Sequence, residues 1–589
     1  MEWAGWISLA TTAVVLATLV FTRLATDMVM LAALAFLLMI GILDAKEALA
    51  GFANAGLITV AFMYVVAAGI SNTGGLDWVI KHVFGQPKSL TAAQARVALP
   101  VVGMSAFLNN TPVVATFLPA ISRWAKQKGL PLPPLLMILS YGAILGGTLT
   151  LIGTSTNLIV NGLYQDLTGS SGFSLFAITP IGLPVALGGV LFMLFWLPIV
   201  LKKRTQPSVE KFGDFREYTV EMAVAGDGSL VGKTIVEAGL RNLRGLYLVE
   251  IERQGTIVTA VSSEEKLQAG DRLVFAGDVE AVIELRQLHG LVPSIGSTPT
   301  LAKDMPERRI IEAVLSPECL SVGETIRESR FRDKYGAVVL AVARHGRRIN
   351  GNLGNIRLEA ADTLLLEARP AFVSRQKYSR DFLLINDTLE ERPNHAKAGI
   401  AWLILVAVIG LAAFEVTSML NASMLGALAM LATRCISPNL ARRSIDGHVL
   451  LTIAASFALG AALEKTGAAA WLAAGIMSLT AGDALLMLIG TYVLVTSLTE
   501  TISNNAAALI TLPIVLATTT AAGLPPEPFV LTLMMAASAS FATPIGYQTN
   551  LMIYGPGGFQ FNDFLKAGIP LNIICGILTV AAVTFWYPM

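Results

Sequence analysis

Two long apolar blocks are each interrupted by a short polar break, and this pattern constrains the fold more than any other feature. In the first block, SAFLNNTPVVATFLP places Asn109-Asn110-Thr111-Pro112 in the middle of an otherwise lipid-compatible run. In the second, TETISNNAAALITLP does the same with Ser503-Asn504-Asn505. A spanning helix needs about 17–25 apolar residues. Residues 5–22, 26–43, 54–72 and 178–201 meet that length in the first block. In the second, spans are expected near 398–414, 418–433, 446–462, 528–554 and 567–587. Amides and hydroxyls at membrane depth need a protein, water or ligand partner. The interrupted stretches 91–122 and 483–520 therefore suit re-entrant hairpins with polar tips that line a protein cavity. Hydrophobic residues make up 54% of the chain and charged residues 14%. Soluble domains carry about 25% charged residues, so most of the chain belongs in lipid. The N-terminal span lacks a preceding basic segment and a small-residue cleavage site, and reads as a membrane helix.

The blocks repeat each other. Aligning Pro119 with Pro513 sets Asn110 against Asn504, Asn109 against Ser503 and Thr111 against Asn505. Further on, Thr150, Gly153, Thr156 and Asn157 meet Thr543, Gly546, Thr549 and Asn550 with one residue of slip. The glycines let backbone unwind and approach a ligand closely. Freed carbonyls with Asn and Thr oxygens can hold a small cation, and half-helix N-termini can hold an anion. Ser, Thr, Asn and Gly also act as packing residues between membrane helices, but a matched pattern in both blocks argues for a shared binding site. No basic side chain lies near the Asn pairs, so an anion there would be held by dipoles, amides and cations.

Basic residues orient the chain. Arg23, the group Arg123, Lys126 and Lys128, the run Lys202-Lys203-Arg204, and Arg434, Arg442 and Arg443 can all face the cytoplasm. Each block then crosses an odd number of times, the blocks are inverted relative to each other, and both chain ends face outward. Residues 76–86, with Asp77, Lys81 and His82, read as interfacial, as do Asp44, Lys46, Glu47, Glu415, Glu464 and Lys465. Trp3, Trp6 and Trp586 fit an interfacial aromatic belt.

Between the blocks, from about 202 to 396, the chain is polar and of mixed pattern. Gly232, Gly245, Gly255 and Asp271 recur 91 residues later as Gly323, Gly336, Gly346 and Asp362. Each unit is expected to form a helix, a Gly turn, an alternating strand, a hairpin and a final apolar strand. Neither carries a Gly-rich phosphate-binding pattern, so no organic cofactor is expected. Arg344, His345, Arg347 and Arg348 form a basic hairpin, read as a solvated turn or a seat for an anionic regulator. Cys319, Cys435 and Cys575 are isolated, and no metal-ligand spacing or nucleophile–base set appears. The chain therefore does not read as an enzyme. Its net charge of +1 gives no support to a nucleic-acid partner.

Residues 1–201 and 397–589 resemble the divalent anion/sodium symporters of the ion-transporter superfamily. The resemblance rests on Asn109-Asn110-Thr111, Gly153-Thr154-Ser155-Thr156-Asn157, Ser503-Asn504-Asn505 and Gly546-Tyr547-Gln548-Thr549-Asn550. The units at 210–290 and 305–375 resemble the C-terminal regulator-of-K⁺-conductance modules (TrkA-C or RCK-C type) and interrupt membrane repeats 1–204 and 397–589. The resemblance implies an α-helical polytopic protein of two inverted repeats, an elevator-type carrier in the cell membrane, with an α+β insert facing the cytoplasm. It implies a homodimer, a cytoplasmic ligand for the insert, and symport of sodium with a small divalent anion such as sulfate or a dicarboxylate. One sodium would lie among Ser105, Asn109, Asn110 and the backbone at Gly153. The other would lie among Thr499, Asn504 and the backbone at Gly546. The anion would sit between the tips at 109–111 and 503–505, near Thr154 and Tyr547. Thr150, Asn157, Thr543 and Asn550 would support the breaks.

The family's Ser-Asn-Thr becomes Asn109-Asn110-Thr111 in one half and Ser503-Asn504-Asn505 in the other. The proline pair after Gly-Thr is Ser155-Thr156 in the first half, and Tyr547-Gln548-Thr549 stands for Thr-Pro-Pro in the second. Amide donors suit sulfate and carboxylate alike, so both substrates stay open. A sodium/proton antiporter or an arsenite-type exporter of the same superfamily is the alternative. A regulated channel is a further one, although no carbonyl-filter motif is present. Glu500, beside the second tip, reads either as a coupling carboxylate or as a cap or ion pair within the hairpin.

Overall fold

The computed structural model describes residues 2–75 except 23, 84–201 except 88, and 397–588 except 545. In the centre it describes chiefly 219–240 except 227, 246–253, 256–259, 265–277, 291–293, 309–344, 347–349, 353–368 and 381–387. The expectations for Arg23, Asp77, Lys81, His82, Lys202-Lys203-Arg204, Gly245, Gly255, His345 and Gly346 lie outside the described residues. The chain divides into two units: 1–204 with 392–553 and 560–589, and 205–391 with 554–559.

The first unit is helical. Its N-terminal block comprises α1 (Trp3–Phe21), α2 (Thr26–Met39), a short α3 (Ala45–Leu49), α4 (Ala55–Asn72), α5 (Leu90–Ser105), α6 (Asn110–Lys128), α7 (Leu132–Gly147), α8 (Ser155–Thr168) and α9 (Thr179–Val200). Among the described residues, six helices of the chain are long and apolar enough to cross a membrane. This supports a multi-pass membrane protein. Helix ends are fixed by local chemistry. Asp44 and Glu47 form a reciprocal capping box at α3. Asn54 caps α4 by accepting from Leu57 N, and donates to Asp166 Oδ2 at 2.7 Å. The stretch 91–122 is broken in two, as the sequence predicts, and the chain breaks again between α7 and α8. Gly146 lets α7 lie against α5: a Cβ there would sit 2.5 Å from the Val102 carbonyl.

The order of elements then recurs. After α10 (Phe331–Tyr335) in the central unit, the C-terminal block supplies α11 (Ala398–Ala413), α12 (Met419–Ala432), α13 (Pro438–Ser444), α14 (Gly447–Lys465), α15 (Ala468–Thr480), α16 (Ala484–Thr499), α17 (Asn504–Ala522), α18 (Glu527–Ser538), α19 (Gln548–Tyr554) and α20 (Phe561–Trp586). The helix pair α5/α6 with its four-residue break corresponds to α16/α17, α7/α8 to α18/α19, and α9 to α20. The stretch read as one span at 528–554 is two helices, because residues 539–544, 546 and 547 leave the helix. Helix α15, not anticipated from the sequence, meets α16 at a 119° bend. Lys465, read as interfacial, pairs with Glu47 at 2.6 Å.

In the central unit, strands β1 (Thr219–Val224), β2 (Leu246–Arg253), β3 (Thr256–Thr259), β4 (Arg272–Gly277) and β5 (Leu291–Pro293) form an antiparallel sheet in the order β3-β2-β4-β1-β5. The second sheet comprises β6 (Arg309–Leu315), β7 (Ala337–Arg344), β8 (Arg347–Arg348), β9 (Thr363–Ala368) and β10 (Phe382–Asp387), in the order β10-β6-β9-β7-β8. Read from the opposite edge, the two orders are the same. Bulges fall at Leu248/Glu250 and at Val339/Ala341, again 91 residues apart. Arg253 meets Asp271, and Arg344 meets Asp362, at 2.8 Å each.

Among the described residues, 229–240 and 320–330 run as turns where the sequence pattern predicts a helix to open each unit. Gly232 (φ 83°) and Gly239 (φ 71°) hold the first segment in turns, and Gly323 (φ 90°) does so in the second. A five-residue helix, α10 (Phe331–Tyr335), follows in the second unit. The flanking strands β1, β5, β6 and β10 complete each sheet outside the motif that sequence alignment picks out.

Candidate functional site

Each polar tip is built by the same few hydrogen bonds. In the first, α5 ends at Ser105, residues 106–109 leave the helix, and α6 begins at Asn110. Ser105 Oγ donates to Asn110 Oδ1 at 2.5 Å, and Thr150 Oγ1 donates to the Ala106 carbonyl. Asn157 Nδ2 donates to the Thr150 carbonyl at 3.1 Å, bracing the break between α7 and α8. In the second tip, Thr499 Oγ1 lies 2.7 Å from Asn504 Oδ1 and 2.8 Å from the Ala537 carbonyl. Thr543 Oγ1 donates to the Glu500 carbonyl at 2.9 Å, and Asn550 Nδ2 donates to Thr543 O at 3.1 Å. Ser105, Asn110, Thr150, Asn157, Thr499, Asn504 and Asn550 are all buried.

Gly153 and Gly546 close these structures from the side. A Cβ on Gly153 would lie 2.6 Å from the Gly147 carbonyl and 2.8 Å from that of Ser105. A Cβ on Gly546 would lie 2.8 Å from the Thr499 carbonyl and 3.1 Å from Thr543 Oγ1. Each glycine thus faces a cluster of neutral hard oxygens, a donor set that fits a small monovalent cation. Among the described residues no group of three His, Cys, Asp or Glu side chains converges as a metal site.

The tips are joined across the halves. Asn110 Nδ2 donates to the Tyr547 hydroxyl at 2.8 Å, and the same hydroxyl is hydrogen-bonded by Thr154 at the start of α8. Thr111 Oγ1 donates to Gln548 Oε1 at 3.3 Å. In the reverse direction, Thr156 Oγ1 donates to Asn505 Oδ1 at 2.8 Å. Ser140 Oγ lies 2.9 Å from Thr549 Oγ1 and 2.7 Å from Asn550 Oδ1, and Tyr141 donates to the Phe541 carbonyl at 2.6 Å. Amide-bearing tips from both blocks therefore meet the opposite block's break.

Two sequence candidates stand at the edge of this arrangement. Asn109 is the half-buried N-cap residue of α6 but makes no capping bond. Its side chain instead hydrogen-bonds Tyr64 of α4, and the two line a pocket with Val60, Met63, Ile152 and Ser155. Ser503 is exposed, and its Oγ caps α17 by accepting from Ala506 N at 3.4 Å. Glu500 is not the cap within its own hairpin that the sequence offers as one reading. It accepts from Phe541 N, Ala542 N, Thr543 N and Asn572 Nδ2 at 2.7–2.8 Å, so it caps the neighbouring break rather than its own hairpin.

Sequence reading passes over Tyr64, Ser140 and Asn572. Tyr64 sits in an unbroken span, where a hydroxyl among apolar residues is the signal available. Ser140 and Asn572 sit inside regular helices and are brought to the breaks by tertiary packing.

The sequence profile of the citrate transporter family (CitMHS) matches residues 16–523 and 502–588. The chain is 36% identical over 95% of its length to a putative sulfur deprivation response regulator of Chlamydomonas reinhardtii, covering 98% of that protein. It is 27% identical over 98% of its length to sodium/sulfate cotransporter 1 of the same organism, covering 90% of it. A sodium-dependent dicarboxylate transporter, SdcS of Staphylococcus aureus, is 29% identical over 25% of this chain and 28% of its own length.

Proposed function

This chain belongs to the citrate transporter family, a group of membrane anion carriers, and from that premise we propose that it moves sulfate inward together with sodium. The observation that carries this reading is the pair of ties between Asn110 and Tyr547 and between Thr156 and Asn505, which brings both amide-rich tips to one place. The near full-length similarity to a protein named a sodium/sulfate cotransporter favours sulfate over a dicarboxylate, for which the similarity spans a quarter of the chain.

The chemistry suits a doubly charged oxyanion. Asn110, Thr111, Thr154, Asn505 and Tyr547 offer N–H and O–H donors without a fixed cation, and the break at Thr154 opens the N-terminus of α8 toward them. Sodium ions at the Gly153 and Gly546 clusters would offset the anion's charge, so that the loaded and empty sites cross the membrane at lower cost than a partly filled one. Asn109 and Ser503 would shape the tips, and Thr150, Asn157, Thr543 and Asn550 would hold the breaks open. The two blocks act as inverted repeats in an elevator-type homodimer of the cell membrane. The two central sheets act as cytoplasmic TrkA-C-like modules that bias the movement when a ligand binds them.

The test is uptake of labelled sulfate into proteoliposomes under an inward sodium gradient. Sodium-dependent uptake that excess unlabelled sulfate suppresses more strongly than succinate or citrate is the expected result. Sodium-independent uptake, or suppression by dicarboxylates alone, overturns the proposal.

A further inference from the structure

The two cation clusters differ in charge at one position; their other exchanges, Ser105 for Thr499 and Gly147 for Ser540, are neutral. Ser105, Ala106 and Asn110 stand 394 residues before Thr499, Glu500 and Asn504. Ser and Thr supply a hydroxyl to the same Asn oxygen in each half, and the carbonyls of Ala106 and Glu500 both accept from the break's threonine, Thr150 or Thr543. The difference is the side chain: a methyl group in the first half and a carboxylate in the second. That carboxylate is turned away from the tip and takes three successive backbone N–H groups of the break, plus the amide of Asn572 from α20. Four N–H donors converge on it, the hydrogen-bonding pattern that suits a carboxylate, which only accepts. It neutralises the N–H dipoles of residues 541–543, which would otherwise present positive ends beside the Thr499 and Thr543 oxygens. In the first half Thr148 N and Leu149 N are satisfied by the Leu145 and Gly146 carbonyls, and Ala106 adds no charge.

We infer that Glu500 makes the two sodium sites unequal: its fixed negative charge raises cation affinity at the Thr499–Gly546 cluster, which fills before the Ser105–Gly153 cluster. Glu500 is here a positioning and field-setting residue; its oxygens are occupied by the break and do not touch the ion. The inference rests on the sodium-coupled reading above and adds an order of binding to it. A buried unit charge a few ångströms from a cation shifts affinity by about tenfold or more even at a high effective dielectric constant.

The experiment is sulfate uptake by the full-length protein in proteoliposomes against increasing external sodium, with choline replacing it, for wild type, Glu500→Gln and Asn572→Leu. Glu500→Gln keeps the shape and the amide can still accept from the backbone. The expected result is a sodium half-saturation raised by about tenfold and a shallower sodium dependence, with the sulfate KM at saturating sodium little changed. Asn572→Leu keeps the charge but loosens its seat, and moves the sodium half-saturation the same way by less. A folded Glu500→Gln protein with wild-type sodium dependence overturns the inference alone. Should that variant fail to fold, an unchanged sodium half-saturation in Asn572→Leu overturns it. Sodium-independent uptake by the wild type overturns the transport reading and this inference with it.

Discussion

Asn110 and Tyr547, separated by 437 residues, share a hydrogen bond of 2.8 Å that joins the first polar tip to the break of the opposite block. Tyr547→Phe removes the acceptor and leaves a buried amide N–H unpaired, at a cost of about 1–3 kcal/mol. The expected outcome is a fall in sulfate uptake efficiency of about tenfold, the lower part of that range. Initial uptake rates over a sulfate series measure it, and an unchanged efficiency counts against Tyr547 as a site residue.

Gly153→Ala and Gly546→Ala each place a methyl group within 2.8 Å of a backbone carbonyl that faces the proposed cation cluster. Neither glycine is among those with positive φ, so the alanine backbone is not strained and the effect is steric. Both variants should reach the membrane and lose sodium-dependent uptake. Retained sodium coupling in either variant removes that glycine from the cation site.

The bond between Tyr64 and Asn109 ties helix α4 to the first tip. If the tip slides past α4 in each transport cycle, the bond breaks each time. A hydrogen bond is worth about 0.5–1.5 kcal/mol net, so Tyr64→Phe should raise the maximal rate by about two- to tenfold. Sodium half-saturation should stay put. A lower rate with weaker sulfate binding would instead make Tyr64 a substrate contact.

In the second sheet of the central unit, Arg344 reaches buried Asp362 through Nε and Nη2 at 2.8 and 2.9 Å. Arg344→Leu leaves that carboxylate buried without its cation, and breaking such a pair costs about 3–5 kcal/mol. Limited proteolysis of the full-length protein should show the central unit cut faster, while the helical unit resists as before.

Glu237 and Glu328 are held below the ordinary glutamate pKa by the backbone N–H and then the hydroxyl of Thr234 and Thr325. A depressed carboxyl adds stability above its unfolded-state pKa and loses it as pH falls through the folded one. The wild type should therefore melt above a Glu237→Gln/Glu328→Gln double variant at neutral pH, and the gap should close as pH drops below about 4.5. A gap that widens on acidification would contradict the assigned bonds.

The helical architecture was largely legible because the breaks announce themselves. Asn109-Asn110 and Ser503-Asn504-Asn505 stand out against lipid-compatible neighbours, and their spacing from the Thr-x-x-Gly pattern is nearly preserved between the blocks. Asn505 and Thr156 were marked by that alignment and Tyr547 by the resemblance to the symporters; the structure joins Thr156 to Asn505 and Tyr547 to Asn110. What the pattern could not show is which partner each side chain chooses. Glu500 reads as a cap of its own hairpin because sequence sees only nearby donors, whereas its donors come from residues 541–543 and Asn572. Helix α15 was missed because its Gly467 and Gly482 boundaries look like a loop. The central units misled for a local reason. VGKTIVEAGLR has helical periodicity, but its positive-φ glycines and the Thr234–Glu237 box favour turns.

The ties between the blocks bear on how the polypeptide could be divided. Every bond from Asn110, Thr111 or Asn505 across the halves has one end before residue 204 and the other after residue 392. Severing the chain anywhere in the intervening segment would leave each fragment with one member of every such couple. Two separately synthesised fragments would then carry complementary halves of a single lock, and docking in the bilayer would be the way for both to satisfy their buried amides.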